Sequence, residues 1–502
     1  MPATISRRVF MGIAAPAVLL LAACGAGSTA TSGSTDTSLT VAFAVEPENL
    51  DFTKTAGSAI PQVLLNNVYE GLVTMDDEGK IQPQLASKWT VSDDQKTYDF
   101  TLRDGVTFSN GDKFDADAVK FSIERVKGAD WTVDLKKAMD VVSTVEVVSP
   151  TEVKVVLSKP SRDWLFRMTT RIGAMFSPNG VSDLANKPVG TGPYEVTKWT
   201  RGDSIQLTAR DGYWGDKPAM KTVTFKYFDD PTAMNNAMLT GSVDIIGSMQ
   251  APDSMNQFKS DSRFKVIEGA TNGEVTLSFN NAAGPLTDIR VRKAIKYALD
   301  HKAIVDTAWN GYGTLIGSMV PPTDPWYEDL TGLYPHDPAK AKTLLAEAGA
   351  QNLQLRLRLP NIPYAVAAGQ VVKSQLAEVG ITANIDLLEF PARWLDVVFK
   401  QHDYDMSIIQ HVEPRDIAQF GNPGYYFGYN SPKVQQLLAE ADQGTAEQQN
   451  TDMKAAAKQI AEDAAADWLF LFPYLAVADS DLTGVPKNAI TESFDVTSIA
   501  RT

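Results

Sequence analysis

Leu353-Gln354-Leu355-Arg356-Leu357-Arg358-Leu359 alternates apolar and polar side chains with a period of two, and Ile381-Thr382-Ala383-Asn384-Ile385-Asp386-Leu387 does the same. Between them Val372, Leu376 and Val379 fall on one face of a helical run that stops at Gly380. Strand, helix and strand at this spacing form a βαβ unit, which requires a parallel strand pair and a right-handed crossover.

The same signals extend in both directions. Asp337, Pro338 and Gly349 supply the cap, first-turn proline and terminal glycine of a helix, and Asp288 starts another through Val291, Ile295 and Leu299. Near the N-terminus Leu39-Thr40-Val41-Ala42-Phe43 reads as a first strand, and Tyr98, Phe100 and Leu102 mark a second. Val145–Val147 and Val153–Val155 flank Ser149-Pro150-Thr151 as a hairpin, and Asp115 caps a helix carrying Val119, Ile123 and Val126. The fold class is α/β or α+β in more than one lobe.

Composition narrows the function. The chain has 502 residues, with 46 Lys+Arg against 61 Asp+Glu and a net charge of -15. That balance opposes binding along a phosphate backbone, so no nucleic-acid partner is expected. Cys24 is the single cysteine, which rules out an internal disulfide and a thiolate zinc site. His301, His336, His402 and His411 show no metal-ligand spacing, and there is no G-x-S-x-G elbow. Gly311-Tyr312-Gly313 with Gly317 lacks the preceding strand and the glycine spacing of a dinucleotide loop. No cofactor, no metal and no enzymatic activity are expected.

Residues 1–23 have a basic start at Arg7 and Arg8, an apolar stretch from Val9 to Leu21, and small residues after it, as a secretory signal does. Leu21-Ala22-Ala23-Cys24-Gly25 resembles a bacterial lipobox, which implies lipidation of Cys24 as the mature N-terminus and a lipid anchor in the membrane. Ser6-Arg7-Arg8-Val9-Phe10-Met11 also resembles a twin-arginine signal, so both that route and the Sec route stay open. Either way the body is exported, anchored by lipid to the outer face of the cytoplasmic membrane. Removing Arg7 and Arg8 with no acid takes the charge from -15 to -17. Residues 24–37 form the lipidated cysteine and a Gly/Ser/Thr/Ala tether.

A longer series of segments carries more information. Pro83-Gln84-Leu85-Ala86-Ser87-Lys88-Trp89 leads to Thr97-Tyr98-Asp99-Phe100-Thr101-Leu102-Arg103-Asp104-Gly105-Val106 and the Ser122-Ile123-Glu124-Arg125 helix. Gly190-Thr191-Gly192-Pro193-Tyr194, Tyr213-Trp214, Gly241-Ser242-Val243-Asp244-Ile245, Phe279-Asn280 and Arg290-Val291-Arg292-Lys293-Ala294-Ile295 follow in order. Together they resemble the family 5 extracellular solute-binding proteins, the oligopeptide-, dipeptide- and nickel-binding group of ABC importers. Read from the residues alone, Trp89, Tyr98, Phe100 and Phe108 are spaced as core aromatics, and Gly190–Pro193 is first of all a tight turn.

The resemblance implies an α/β, two-lobed periplasmic-binding-protein-like fold (class II, venus flytrap) with an extra subdomain inserted in the first lobe. Lobe I would be 38–57, 183–272 and 474–502, the insertion 58–182, and lobe II 273–473. A monomer would close on a small-molecule or peptide ligand and deliver it to membrane permease subunits.

Peptide-binding relatives pair the ligand's α-amino group with a carboxylate of the second lobe. The corresponding stretch here follows Tyr404–Ile409 and reads Gln410-His411-Val412-Glu413-Pro414-Arg415-Asp416-Ile417-Ala418-Gln419-Phe420. It lacks the family's Trp. By offset from Phe420 the resemblance assigns the amine to Glu413 first and Asp416 second. Independently, His411, Glu413, Arg415 and Asp416 are four ionisable groups within six residues after an apolar strand, where clefts of open α/β sheets lie. Arg415 is a candidate for a ligand carboxylate or for neutralising Asp416. His411 is a candidate ligand contact, Trp309 and Trp394 are candidate pocket walls, and Thr55–Ser58 is a candidate cleft loop of the other lobe. A nickel chelate or other non-peptide solute is the alternative ligand, and an exported carboxylate hydrolase the alternative class.

Overall fold

The computed structural model describes residues 37–502 apart from Gln250 and the side chain of Asp134. The leader, Cys24 and all of the tether except Thr37 lie outside the described residues.

Three sheets organise the chain. The first has seven strands in the order Phe264–Gly269, Tyr474–Asp479, Ile245–Ile246, Ser38–Phe43, Thr222–Tyr227, Ser204–Ala209 and Tyr194–Thr200. Ser38–Phe43 lies parallel to both its neighbours, and the other pairs are antiparallel. A four-stranded antiparallel sheet, Ala86–Val91, Thr97–Leu102, Glu152–Leu157 and Val142–Ser149, includes the expected hairpin. Phe100, Trp131 and Trp164 from this segment share one continuous core with Val41 and Phe225 of the first sheet. Continuous apolar burial of this kind fastens the two as one body.

The five-stranded sheet runs Thr382–Leu388, Gln354–Pro360, Met406–His411, Glu274–Phe279 and Ala466–Leu471. Its βαβ unit forms as the alternation dictates: Leu355 pairs with Ala383 and Leu357 with Ile385 in parallel, and the helix Pro363–Glu378 buries Val372 and Leu376. Leu387 departs from the pattern and is 48% exposed, because its strand is the sheet edge. Both faces of this sheet are covered. Val275, Leu277 and Phe279 face the core beneath the helices Ile289–Ala298 and Pro363–Glu378. On the opposite side Trp326, Trp394, Tyr426 and Trp468 form a second core.

The helix signals are realised locally. Asp115, Asp288 and Asp337 accept from the backbone N–H of Ala118, Arg290 and Lys340. Gly190 and Gly192 differ from the turn expectation. The chain there lies against residues 67–69, with Gly192 N donating to Val68 O at 2.9 Å. A Cβ on Gly190 would stand 1.9 Å from Val68 O, so glycine is required by close approach.

Two short segments, 270–273 and 472–473, connect the first sheet to the five-stranded one. They are bonded to each other: Thr271 Oγ1 donates to Phe472 O at 2.6 Å, and Phe472 N donates to Gly273 O at 2.7 Å. Paired crossings of this kind permit a hinge while resisting independent twisting.

Candidate functional site

The central strand Met406–His411 carries its first four residues buried and delivers the following loop to the edge where both crossings meet. Cross-strand register places His411 opposite Glu274, and Glu274 opposite Leu471. The loop 411–416 therefore emerges beside the hinge, which is the location a closing cleft requires.

His411 is a buried hub. Its ring stacks on Tyr426 with centroids 6.0 Å apart and planes 7° apart. Nε2 lies 2.9 Å from the Tyr426 hydroxyl, which in turn is 2.7 Å from Ser278 Oγ. Nδ1 lies 3.5 Å from Asp416 Oδ2. Burial pushes the imidazole down to about 4, so it is neutral at physiological pH.

Asp416 is 5% exposed. Burial, followed by the charges of Glu413 and Asp324, pushes its carboxyl well above the usual range. Glu413 is exposed, with Val412 beside it at 57% exposure. The loop thus holds one acid in the solvent-facing position and one buried behind it.

Arg415 faces Asp163 and leaves its Nε buried without a hydrogen-bond partner. It adopts a left-handed backbone, φ 60°, and its guanidinium lies 3.5 Å over the Phe166 ring and 4.8 Å from that of Trp326. Its Nη1 is 4.0 Å from Asp163 Oδ1. Burial lowers the guanidinium pKa, against the opposing charges of Asp163 and Asp324. The residue joins this loop to the helix Arg162–Arg167 of the first body.

That junction is extensive. Ser161 Oγ and Asp163 N both donate to Asp442 Oδ1, at 2.9 and 3.0 Å, Arg162 Nε donates to Gly444 O at 2.6 Å, and Arg167 Nη1 to Pro414 O at 3.2 Å. A cavity of about 620 Å³ opens beside it, bounded by Trp164, Trp326, Arg415 and Asp442 among others.

The two tryptophans are packed in the cores on either side of the five-stranded sheet. Trp394 is 3% exposed, donates Nε1 to Ser407 Oγ at 3.1 Å, and packs edge-on to Tyr426. Trp309 is 7% exposed in the core of the five-stranded sheet, 4.7 Å from Phe472 by ring centroids. Both are apolar enough, and large enough, for packing to claim them. In the Thr55–Ser58 loop, residues 56–58 are exposed, and Arg171 Nη1 holds the Gly57 carbonyl at 2.8 Å.

Sequence reasoning missed Glu274, Asp324 and Tyr426. Glu274 is 2% exposed, and burial with the charges of Asp416 and Asp324 raises its carboxyl well above the usual range. Burial also raises Asp324, against Arg415, to about 6. A single acid opening the otherwise uncharged run Val275–Phe279 was the available signal.

Among the described residues no helix is long and apolar enough to cross a membrane. The profile of the bacterial extracellular solute-binding proteins, family 5, matches residues 80–433. The glutathione-binding protein GsiB of Escherichia coli O1:K1 is 30% identical over 356 residues, 68% of each chain. NikZ of Campylobacter jejuni, solved in complex with Ni(L-His), superposes with a TM-score of 0.78 at 23% identity, covering 93% of this chain and 100% of that one. The ABC transporter-associated DppA of Helicobacter pylori, solved with the peptide STSA, superposes with a TM-score of 0.79 at 21% identity, covering 92% and 98%. The architecture is accordingly that of the two-lobed periplasmic binding proteins. With its profile match, its relatives and its fold in agreement, this chain belongs to the family 5 solute-binding proteins of ABC importers.

Proposed function

We propose that this protein is a lipid-anchored receptor that captures a di- or oligopeptide between two lobes and hands it unchanged to a membrane permease. Lobe I comprises 38–57, 183–272 and 474–502, with 58–182 inserted, and lobe II comprises 273–473. The strand content of the two large sheets supports that division. The observation that carries the reading is Glu413: an exposed carboxylate beside the hinge, backed by buried Asp416 and facing the approach of the first body through Arg167. A ligand ammonium removed from water needs such a partner. His411 has both ring nitrogens facing protein groups, which argues against its serving a nickel chelate. The protein acts as a monomer held at the outer face of the cytoplasmic membrane through Cys24.

Thermal-shift screening against di- to pentapeptides, glutathione, nickel-histidine and sugars tests the reading. Stabilisation by peptides, with the peptide recovered intact, supports it. Stabilisation by nickel-histidine or sugar alone, or recovery of cleaved peptide, overturns it. Mass spectrometry of the membrane-extracted protein tests the anchor, which requires acyl groups on Cys24.

A further inference from the structure

Two carboxyl groups, Glu274 and Asp416, are buried behind the loop 411–416, and Asp324 is half-buried. Glu274 and His411 are direct cross-strand partners, so their side chains stand side by side on one face of the sheet. Asp416 reaches the same imidazole from the loop, 3.5 Å from Nδ1. Asp324 comes from a separate segment, and its charge acts on both Glu274 and Asp416. One oxygen of each acid, Glu274 Oε2, Asp324 Oδ2 and Asp416 Oδ2, is buried with no hydrogen-bond partner.

Native interiors rarely leave such atoms unmatched, because a buried polar atom without a partner loses its hydration and gains nothing in return. The neighbours on the same strand face are satisfied, Ser278 by the Tyr426 hydroxyl and Thr276 by the Glu274 carbonyl. Arg415 lies over the Phe166 and Trp326 rings and Arg167 bonds Asp163 Oδ2 at 2.8 Å and Pro414 O, and the two act on Asp324 and Asp416 by charge. His411 faces Asp416 as a neutral ring. Folding alone would be served better by an apolar residue at 274. The described residues include no group of three ligands arranged for a metal ion. The complement to buried carboxyl oxygens that lack a donor is an organic cation with several N–H donors.

We propose that Glu274 and Asp416 form a subsite for a second cationic group of the ligand, an ammonium or guanidinium on a peptide side chain, separate from the α-ammonium at Glu413. The inference rests on the peptide reading and narrows it: the preferred peptides carry a basic residue. A cation entering through the opened lobes favours the charged form of the acid pair, and one proton leaves to solvent for the one positive charge that arrives.

The test is calorimetric titration of tripeptides in which Lys replaces norleucine at each position in turn. Wild-type protein is expected to prefer Lys at one position by about tenfold or more, with more proton release to buffer than norleucine gives. Glu274→Gln, isosteric with the protonated acid, should reduce that preference to about threefold or less and leave the norleucine peptide's affinity in place. Equal affinities in the wild type, or a preference unchanged in both Glu274→Gln and Asp416→Asn, overturns the subsite. If either variant fails to fold, proton release by the wild type decides, and equal release from Lys and norleucine peptides overturns it. If no tripeptide binds, the peptide reading falls by itself. Agmatine and putrescine then probe the acids directly: binding lost in Glu274→Gln upholds a cation subsite, and no binding removes it.

Discussion

Ser161 donates its hydroxyl to Asp442 Oδ1 across 2.9 Å, and the carboxylate also accepts Asp163 N at 3.0 Å. One acid on the helix Pro432–Gln443 thereby caps the start of the helix Arg162–Arg167, although the chain itself passes between the two sheets only at 270–273 and 472–473. Contacts like these exist only while the bodies are together, so they bias an opening equilibrium.

Asp442→Ala removes both bonds, a loss of about 1–3 kcal/mol from the closed form. Small-angle scattering of the unliganded variant should show a larger radius of gyration, and ligand affinity should fall about 5- to 100-fold. An unchanged scattering profile would show that the clasp does not govern closure.

Lys296 and Asp467 form a buried ion pair, with His301 Nε2 3.1 Å from the second carboxylate oxygen. Burial alone would raise Asp467, but the charges of His301 and Lys296 hold it far below the usual carboxylate range. Lys296→Met strands that charge and should cost about 3–5 kcal/mol, read as a lower denaturation midpoint. Lys296→Met with Asp467→Leu should recover most of the loss. A single variant as stable as wild type would contradict the pairing.

Gly190→Ala should destabilise by about 1–3 kcal/mol or more, since its Cβ meets the Val68 carbonyl, which is itself bonded to Gly192. Gly202→Ala, at a position with open space but φ 74°, isolates the conformational cost at about 1–2 kcal/mol. Chemical denaturation of the pair checks the order. Equal losses would mean that close approach is not what fixes Gly190.

The acid cluster makes stability depend on pH in two opposite ways. An unfolded Glu loses its proton near about 4.3 while native Glu274 keeps it. Above that pH the native state binds more protons, so stability falls as pH rises. Glu274→Gln should match the wild type near pH 4 and gain on its melting temperature as the pH rises above that. His411 acts the other way: the unfolded imidazole protonates near about 6.5 but the native one only near 4, so its contribution is lost as pH falls between them. A pH-independent difference between variant and wild type would contradict the protonated state of Glu274.

The legible parts of the fold were those written in local periodicity. The βαβ unit, the Asp115, Asp288 and Asp337 caps and the hairpin around Pro150 each depend on residues within a few positions of one another. The loop 411–416 was legible as a charge cluster, but the partners of its side chains were not. Glu274 reaches His411 through strand register, and Phe166 reaches Arg415 across the two bodies; neither leaves a trace in neighbouring sequence. Trp394 shows the converse. An aromatic after Pro391-Ala392-Arg393 suits a pocket wall or a core equally until Ser407 and Tyr426 are found around it.

Glu413 bears the central claim, that the lobes hold a peptide by its free amino end. Calorimetric titration of a peptide identified by screening, against its N-acetylated form, tests it most directly. Acetylation should weaken binding by about 100-fold or more, about 3 kcal/mol, and Glu413→Gln should erase most of that difference. Equal affinity for the free and the acetylated peptide would contradict the account.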